Sequence, residues 1–221
     1  MVYAEAMKID WVYPQTHPVQ VVVPDPNDLM EIFDTISYAK GSVICRMLHG
    51  LIGQEAFTQS LKTYLTRHES GNAKTGQLLA AMDEVIQDSN ALKARFSNHD
   101  SETLSTAEFI MPWIQQKCLP MILVEQDEED ENKFSLVQSC VFMSEETRSM
   151  LWPIHVTYVT SSGNKGEFVF SKRSIDIELD LHEDEAVWFN HNMLGFYLPI
   201  PSGPYLYEKL LLNLGKFCDA D

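Results

Sequence analysis

Tyr38 stands in the run Asp34-Thr35-Ile36-Ser37-Tyr38-Ala39-Lys40-Gly41, whose residue types place one phenol at the head of an amphipathic helix. A phenol with a pKa near ~10 stays protonated at neutral pH and can donate a hydrogen bond to an oxyanion as its charge develops. It cannot by itself turn water into a nucleophile. That task needs a metal or a general base.

Two segments approach the H-E-x-x-H pattern that would supply both. In His182-Glu183-Asp184-Glu185-Ala186 an alanine fills the second ligand position, and the strand-like flanks do not put residues four apart on one face. In His68-Glu69-Ser70-Gly71-Asn72 an asparagine fills that position behind a helix-ending glycine. Both are expected to be exposed surface residues, with no metal ligands among them. His17, His49, His99, His155 and His191 have no second candidate ligand at helical spacing, and most of them are expected to be structural or exposed. No G-x-S-x-G elbow or phosphate-cradling glycine motif occurs, and Cys45 beside Arg46 reads as core packing in a helix.

The elements that must position Tyr38 follow from periodicity. Val43, Ile44, Met47, Leu48, Leu51 and Ile52 recur at helical spacing, with Ser37 as a candidate N-cap and Gly53 as a stop. A second helix carries Phe57, Leu61, Tyr64 and Leu65 and closes at Gly71-Asn72; a third carries Leu78, Leu79, Met82, Val85 and Ile86 behind Thr75. A fourth opens at the capping box Ser105-Thr106-Ala107-Glu108, and Pro112 should kink or shorten it.

Beyond Pro120 the pattern turns to short β-type runs at residues 121–125, 134–142, 154–160, 167–171, 175–181 and 187–189. In the fifth, Ile175, Ile177, Leu179 and Leu181 alternate with Asp176, Glu178 and Asp180, giving one buried and one wet face. Residues 205–217 read as helix again, and the acidic run 125–131 reads as a solvated hairpin tip because it lacks the ligand alternation and turn glycine of a calcium loop.

With 221 residues the chain can hold one large or two small domains. Its 16 Lys and Arg against 32 Asp and Glu, a formal net charge of −16, argue against nucleic acid as a partner. Glu5, Lys8 and Asp10 interrupt any apolar core of a signal peptide, no apolar run is long enough for a membrane segment, and the four cysteines are widely spaced. These features point to a cytoplasmic location.

The ordered set His17-Pro18-Val19, Val21, Val23, Pro26, Glu31, Ile32, Phe33, Asp34, Ile36, Ser37, Tyr38, Lys40, Gly41, Val43, Ile44, Arg46, Met47 and Leu48 resembles one continuous block of the zinc aminopeptidases related to aminopeptidase N and puromycin-sensitive aminopeptidase. Gly53, Phe57, Leu61, Tyr64, Leu65, Gly71, Asn72 and Ala73 extend it. Trp113, Gln116, Pro120 and Val124-Glu125-Gln126 resemble the family's passage from catalytic domain to β-sandwich, and Asn192, Gly195, Phe196 and Tyr197 resemble the sandwich's closing strand. Cys118-Leu119 and Leu198 depart from it, standing where the family usually carries a glycine with an aromatic residue, and often an arginine.

The resemblance implies an α+β fold: a helical subdomain of a thermolysin-like catalytic domain (1–119), a small antiparallel β-sandwich (120–201) and the start of a helical domain (202–221). It implies a peptidase acting on peptide substrates by attack of a zinc-bound water, with Tyr38 as catalytic hydrogen-bond donor to the tetrahedral intermediate. Lys40 reads as a surface or capping contact and Gly41 as a close-packing position. The family's G-x-M-E-N segment and zinc-binding helix have no counterpart in this sequence. The chain is therefore expected to be a fragment or truncated form that holds no zinc and is inactive in isolation. The alternative is a stand-alone, non-catalytic interaction or pseudoenzyme module.

Overall fold

Helices carry the first half of the chain and strands the second. The computed structural model describes residues 2–11, 16–97 and 103–218, so His99 lies outside the described residues. Two compact units are present, Met1–Lys117 and Cys118–Asp221.

In the first unit α1 (Val2–Asp10) is followed by a 3-10 helix (Pro26–Ile32), a π-helical turn (Ile36–Lys40) and the long α2 (Gly41–Arg67). α2 buries Val43, Ile44, Met47, Leu48, Leu51, Ile52 and Ala56, the stripe its spacing predicts. Gly53 takes φ +81°, a left-handed conformation costly for any residue with a Cβ, so it breaks α2 into two helical halves at a kink. α3 (Thr75–Gln87), α4 (Asn90–Arg95) and α5 (Thr106–Gln115) complete the unit. α3 presents Leu79, Ala81, Met82 and Ile86, α5 presents Phe109, Ile110, Trp113 and Ile114, and the Phe96 and Phe109 rings meet edge to face at 5.7 Å.

The capping box is complete. The Glu108 amide donates to Ser105 Oγ at 3.1 Å, and the Ser105 amide donates to Glu108 Oε2 at 2.8 Å. α5 is ten residues long with Pro112 inside it. α4, capped by Ser89, has too few apolar residues to register as a periodic stripe in the sequence.

The second unit contains β1 (Pro120–Gln126), β2 (Lys133–Cys140), β3 (Ile154–Thr160), β4 (Lys165–Phe170), β5 (Ser174–Glu178), β6 (Val187–Phe189) and β7 (Leu198–Pro201), then α6 (Pro204–Cys218). One sheet runs β5-β2-β1-β7 and the other β4-β3-β6. All pairs are antiparallel except β1 with β7, which run parallel with Met121 opposite Leu198. The chain is thus an α+β protein. Phe134 of one sheet and Phe189 of the other meet at 5.8 Å between ring centroids.

Buried polar side chains staple this unit. Gln138, fully buried, donates to the carbonyls of Trp152 and Lys172 and accepts the Trp152 amide at 3.0 Å. Asn190, at φ +60°, donates to the carbonyls of Gly195 and Tyr197 and accepts the Gly195 amide. The expected closing strand around 192–197 is therefore a tight turn with a 3-10 helix at His191–Met193, and the strand follows at β7. A Cβ on Gly195 would lie 2.2 Å from the buried Tyr197 ring, which explains the glycine. Cys118, where the resembled family usually carries glycine, has φ +68° and is fully buried.

Two sequence expectations change here. Glu131 does not sit on a wholly solvated tip: Lys209 Nζ lies 2.7 Å from its Oε2, and the Tyr205 hydroxyl donates to its Oε1. That bond is the main reason the Tyr205 phenol is pushed up to about 12. His182 to Glu185 form a turn whose Glu185 is buried, because its carboxylate accepts the amides of Ser162 and His182 and the Ser162 hydroxyl.

Burial works to raise the Glu185 carboxyl, but the hydrogen bonds from Ser162, Thr160 and His182 outweigh it and bring it from the ordinary 4.5 down to about 2. The folded pKa is depressed, so this stabilisation is present above pH 4.5 and is lost as the pH falls toward 2. Its size is on the order of 3 kcal/mol. Urea unfolding followed by tryptophan fluorescence should show that Glu185→Gln removes this acid-dependent loss; an unchanged acid slope in the variant would contradict the assignment.

Candidate functional site

The turn that carries Tyr38 is built by its neighbours. Asp34, not Ser37, caps it: Asp34 Oδ1 accepts the Ser37 amide at 2.9 Å, and the Asp34 carbonyl accepts the Tyr38 amide at 3.3 Å. Helical hydrogen bonding then runs through the π turn into α2 without a break. π-helical turns are rare, and the single turns found within α-helices are frequently at functional sites.

Tyr38 is 64% exposed, and its ring centroid lies 6.4 Å from that of Phe33. Its hydroxyl has no hydrogen-bond partner among the described residues. The side chain borders an open depression of about 530 Å³ lined also by Val2, Glu5, Phe33, Asp34, Thr35, Ala39 and Ser42. A phenol placed this way can reach a ligand in the depression.

Lys40, two residues on, is a correction to the sequence reading. It is 1% exposed, with Nζ 2.8 Å from Asp10 Oδ2 and 3.1 Å from the Gln116 carbonyl. Asp10 is equally buried and accepts the Thr16 hydroxyl at 2.5 Å. The lysine ties the end of α1 to the tyrosine turn. Gly41 is not tightly packed, since an added Cβ would meet Val19 at an ordinary 3.9 Å. Cys45 is an exposed residue instead of core, although partial burial of its thiol pushes it above its usual range.

The described residues do not fit a catalytic zinc. His17 pairs with Asp34 at 2.6 Å and the buried His155 with Glu167 at 3.0 Å, each a single imidazole with a single carboxylate. Among the described residues no group of three or more His, Cys, Asp or Glu side chains could hold a metal ion. Nor, among them, is any helix long and apolar enough to cross a membrane. The candidate site therefore consists of one oriented hydrogen-bond donor, Tyr38, and the side chains that hold its turn.

Comparison with known proteins places these features in a lineage. Residues 2–100 match the peptidase family M1 domain. The chain is 31% identical over 206 residues, 93% of its length, to the tricorn protease-interacting factor F2 of Thermoplasma acidophilum, of which it covers 23%. It is 26% identical over 189 residues to the puromycin-sensitive aminopeptidase of Caenorhabditis elegans, with 82% of this chain and 18% of that protein covered. It is 28% identical over 221 residues to the human endoplasmic reticulum aminopeptidase 2, with 91% of this chain and 23% of that protein covered. The chain thus spans less than a quarter of the length of these relatives. The match across the tyrosine-bearing helical unit, together with these relatives, of which two are aminopeptidases by name, shows a relationship of this chain to the peptidase family M1.

Proposed function

We propose that this chain is a segment of a zinc aminopeptidase that removes N-terminal residues from peptides, and that it supplies Tyr38 as donor to the oxyanion formed when the scissile carbonyl is attacked. The observation that carries this reading is the exposed Tyr38 phenol, free of hydrogen-bond partners among the described residues, on a turn braced from both sides. A neutral phenol hydrogen-bonds a developing negative charge more strongly than a neutral carbonyl, so it stabilises the transition state more than the ground state. It abstracts no proton and activates no water. In this reading the helical unit is the C-terminal helical part of a peptidase catalytic domain, the sheets form its β-sandwich domain, and α6 begins a further helical domain. The free thiols Cys45, Cys118 and Cys140 fit the cytoplasm as compartment.

Tyr38→Phe in an active aminopeptidase carrying this segment tests the proposal. A fall in kcat supports it, and an unchanged kcat would show that the ring only packs. A second reading, a non-catalytic interaction module, draws on α6, where Tyr207, Leu211, Leu212 and Leu214 are exposed.

A further inference from the structure

His17 faces two oxygen atoms at once. Its Nε2 lies 2.6 Å from Asp34 Oδ2, and its Nδ1 lies 2.7 Å from the Pro18 carbonyl oxygen. A backbone carbonyl and a carboxylate both accept, so both ring nitrogens must donate, and only the imidazolium carries a proton on each. The carboxylate it grips is the one whose other oxygen caps the Tyr38 turn through the Ser37 amide. A continuous chain of polar contacts therefore runs from the imidazole through Asp34 to the backbone that carries the phenol.

We propose that His17 and Asp34 are positioning residues for Tyr38: the protonated imidazole fixes the carboxylate that caps the tyrosine-bearing turn, and the phenol's placement follows the protonation of His17. This inference rests on the reading of Tyr38 as the functional donor, but the placement itself is measurable without any reaction. The charged groups facing His17 are Asp34 ahead of the π turn and Asp10 at the end of α1, the latter already held by Lys40. Burial disfavours the charged ring, yet the bonds to Asp34 and Pro18 outweigh it and hold His17 above the usual histidine value. Asp34 is held below the usual aspartate value, because its bonds from Ser37 and His17 outweigh its burial. Since the folded His17 value is raised, the clamp is closed at lower pH and is released as the pH rises through that value.

The 221-residue chain labelled with carbon-13 in its tyrosine rings, with Tyr38 assigned through Tyr38→Phe, is titrated by nuclear magnetic resonance between about pH 5 and 9. The Tyr38 ring signals should shift with the same midpoint as the His17 imidazole signals, above about 6.5. That shift should disappear in His17→Gln and in Asp34→Asn. Tyr38 signals that stay flat through the His17 midpoint would overturn the proposal, as would a shift that survives His17→Gln. Should a variant fail to fold, shared or separate midpoints in the unaltered chain still decide. Loss of this coupling leaves the oxyanion role standing, and a kinetically silent Tyr38→Phe leaves the coupling standing.

Discussion

Tyr38→Phe is expected to lower kcat by about 100- to 1,000-fold, with KM little changed, in an aminopeptidase whose matching segment is replaced by this one. The substitution deletes one oxygen and leaves the ring, so the 6.4 Å approach to Phe33 and the Asp34 cap are untouched. What it removes is a donor that acts only as charge builds on the substrate oxygen, and so the loss falls on kcat. The puromycin-sensitive aminopeptidase of Caenorhabditis elegans is a suitable recipient because its match to this chain runs over 189 residues. Circular dichroism and an unchanged KM serve as controls for folding. A kcat within about twofold of the parent would remove Tyr38 from the chemistry.

Asp10→Ala is expected to destabilise the helical unit by about 3–5 kcal/mol, because it strands the Lys40 ammonium in a site that is 1% exposed. Against a typical total of ~5–15 kcal/mol, such a loss unfolds much of the population at physiological temperature. Removing both charges together, as in Asp10→Leu with Lys40→Met, should cost far less, since no uncompensated ion remains. Thermal and urea unfolding followed by helical circular dichroism measure both. A single-variant cost below about 1 kcal/mol would show that water reaches Lys40 and that the pair does not pin the turn.

The helix of Tyr38 and the capping box at Ser105 were legible in the sequence because both depend on residues within a few positions of one another, as do the short strands. The structure adds relations that local spacing does not encode. Asp10 and Lys40 are 30 positions apart, and nothing in the run around Lys40 distinguishes a buried cation from a surface one. His17 and Asp34 lie 17 apart, so nothing local in the sequence shows that this imidazole, read as structural or exposed, pairs with the carboxylate that caps the Tyr38 turn. Glu185 sits within a failed metal motif, and its partner Ser162 lies 23 positions away in the turn between β3 and β4. The parallel pairing of β7 with β1 is likewise long-range, and its Leu-Pro-Ile-Pro sequence lacks two amide donors that an ordinary strand would show. A signal for Lys40 was present only in the resemblance, which includes that residue without stating its surroundings.

In the proposed reading these residues contribute an oxyanion donor and not the centre that activates water. The most direct measurement is zinc content together with aminopeptidase turnover of the purified 221-residue chain after equilibration with zinc. No tightly held zinc and no turnover are expected, with Tyr38→Phe indistinguishable from the parent. One equivalent of bound zinc with peptide hydrolysis abolished by Tyr38→Phe would contradict it.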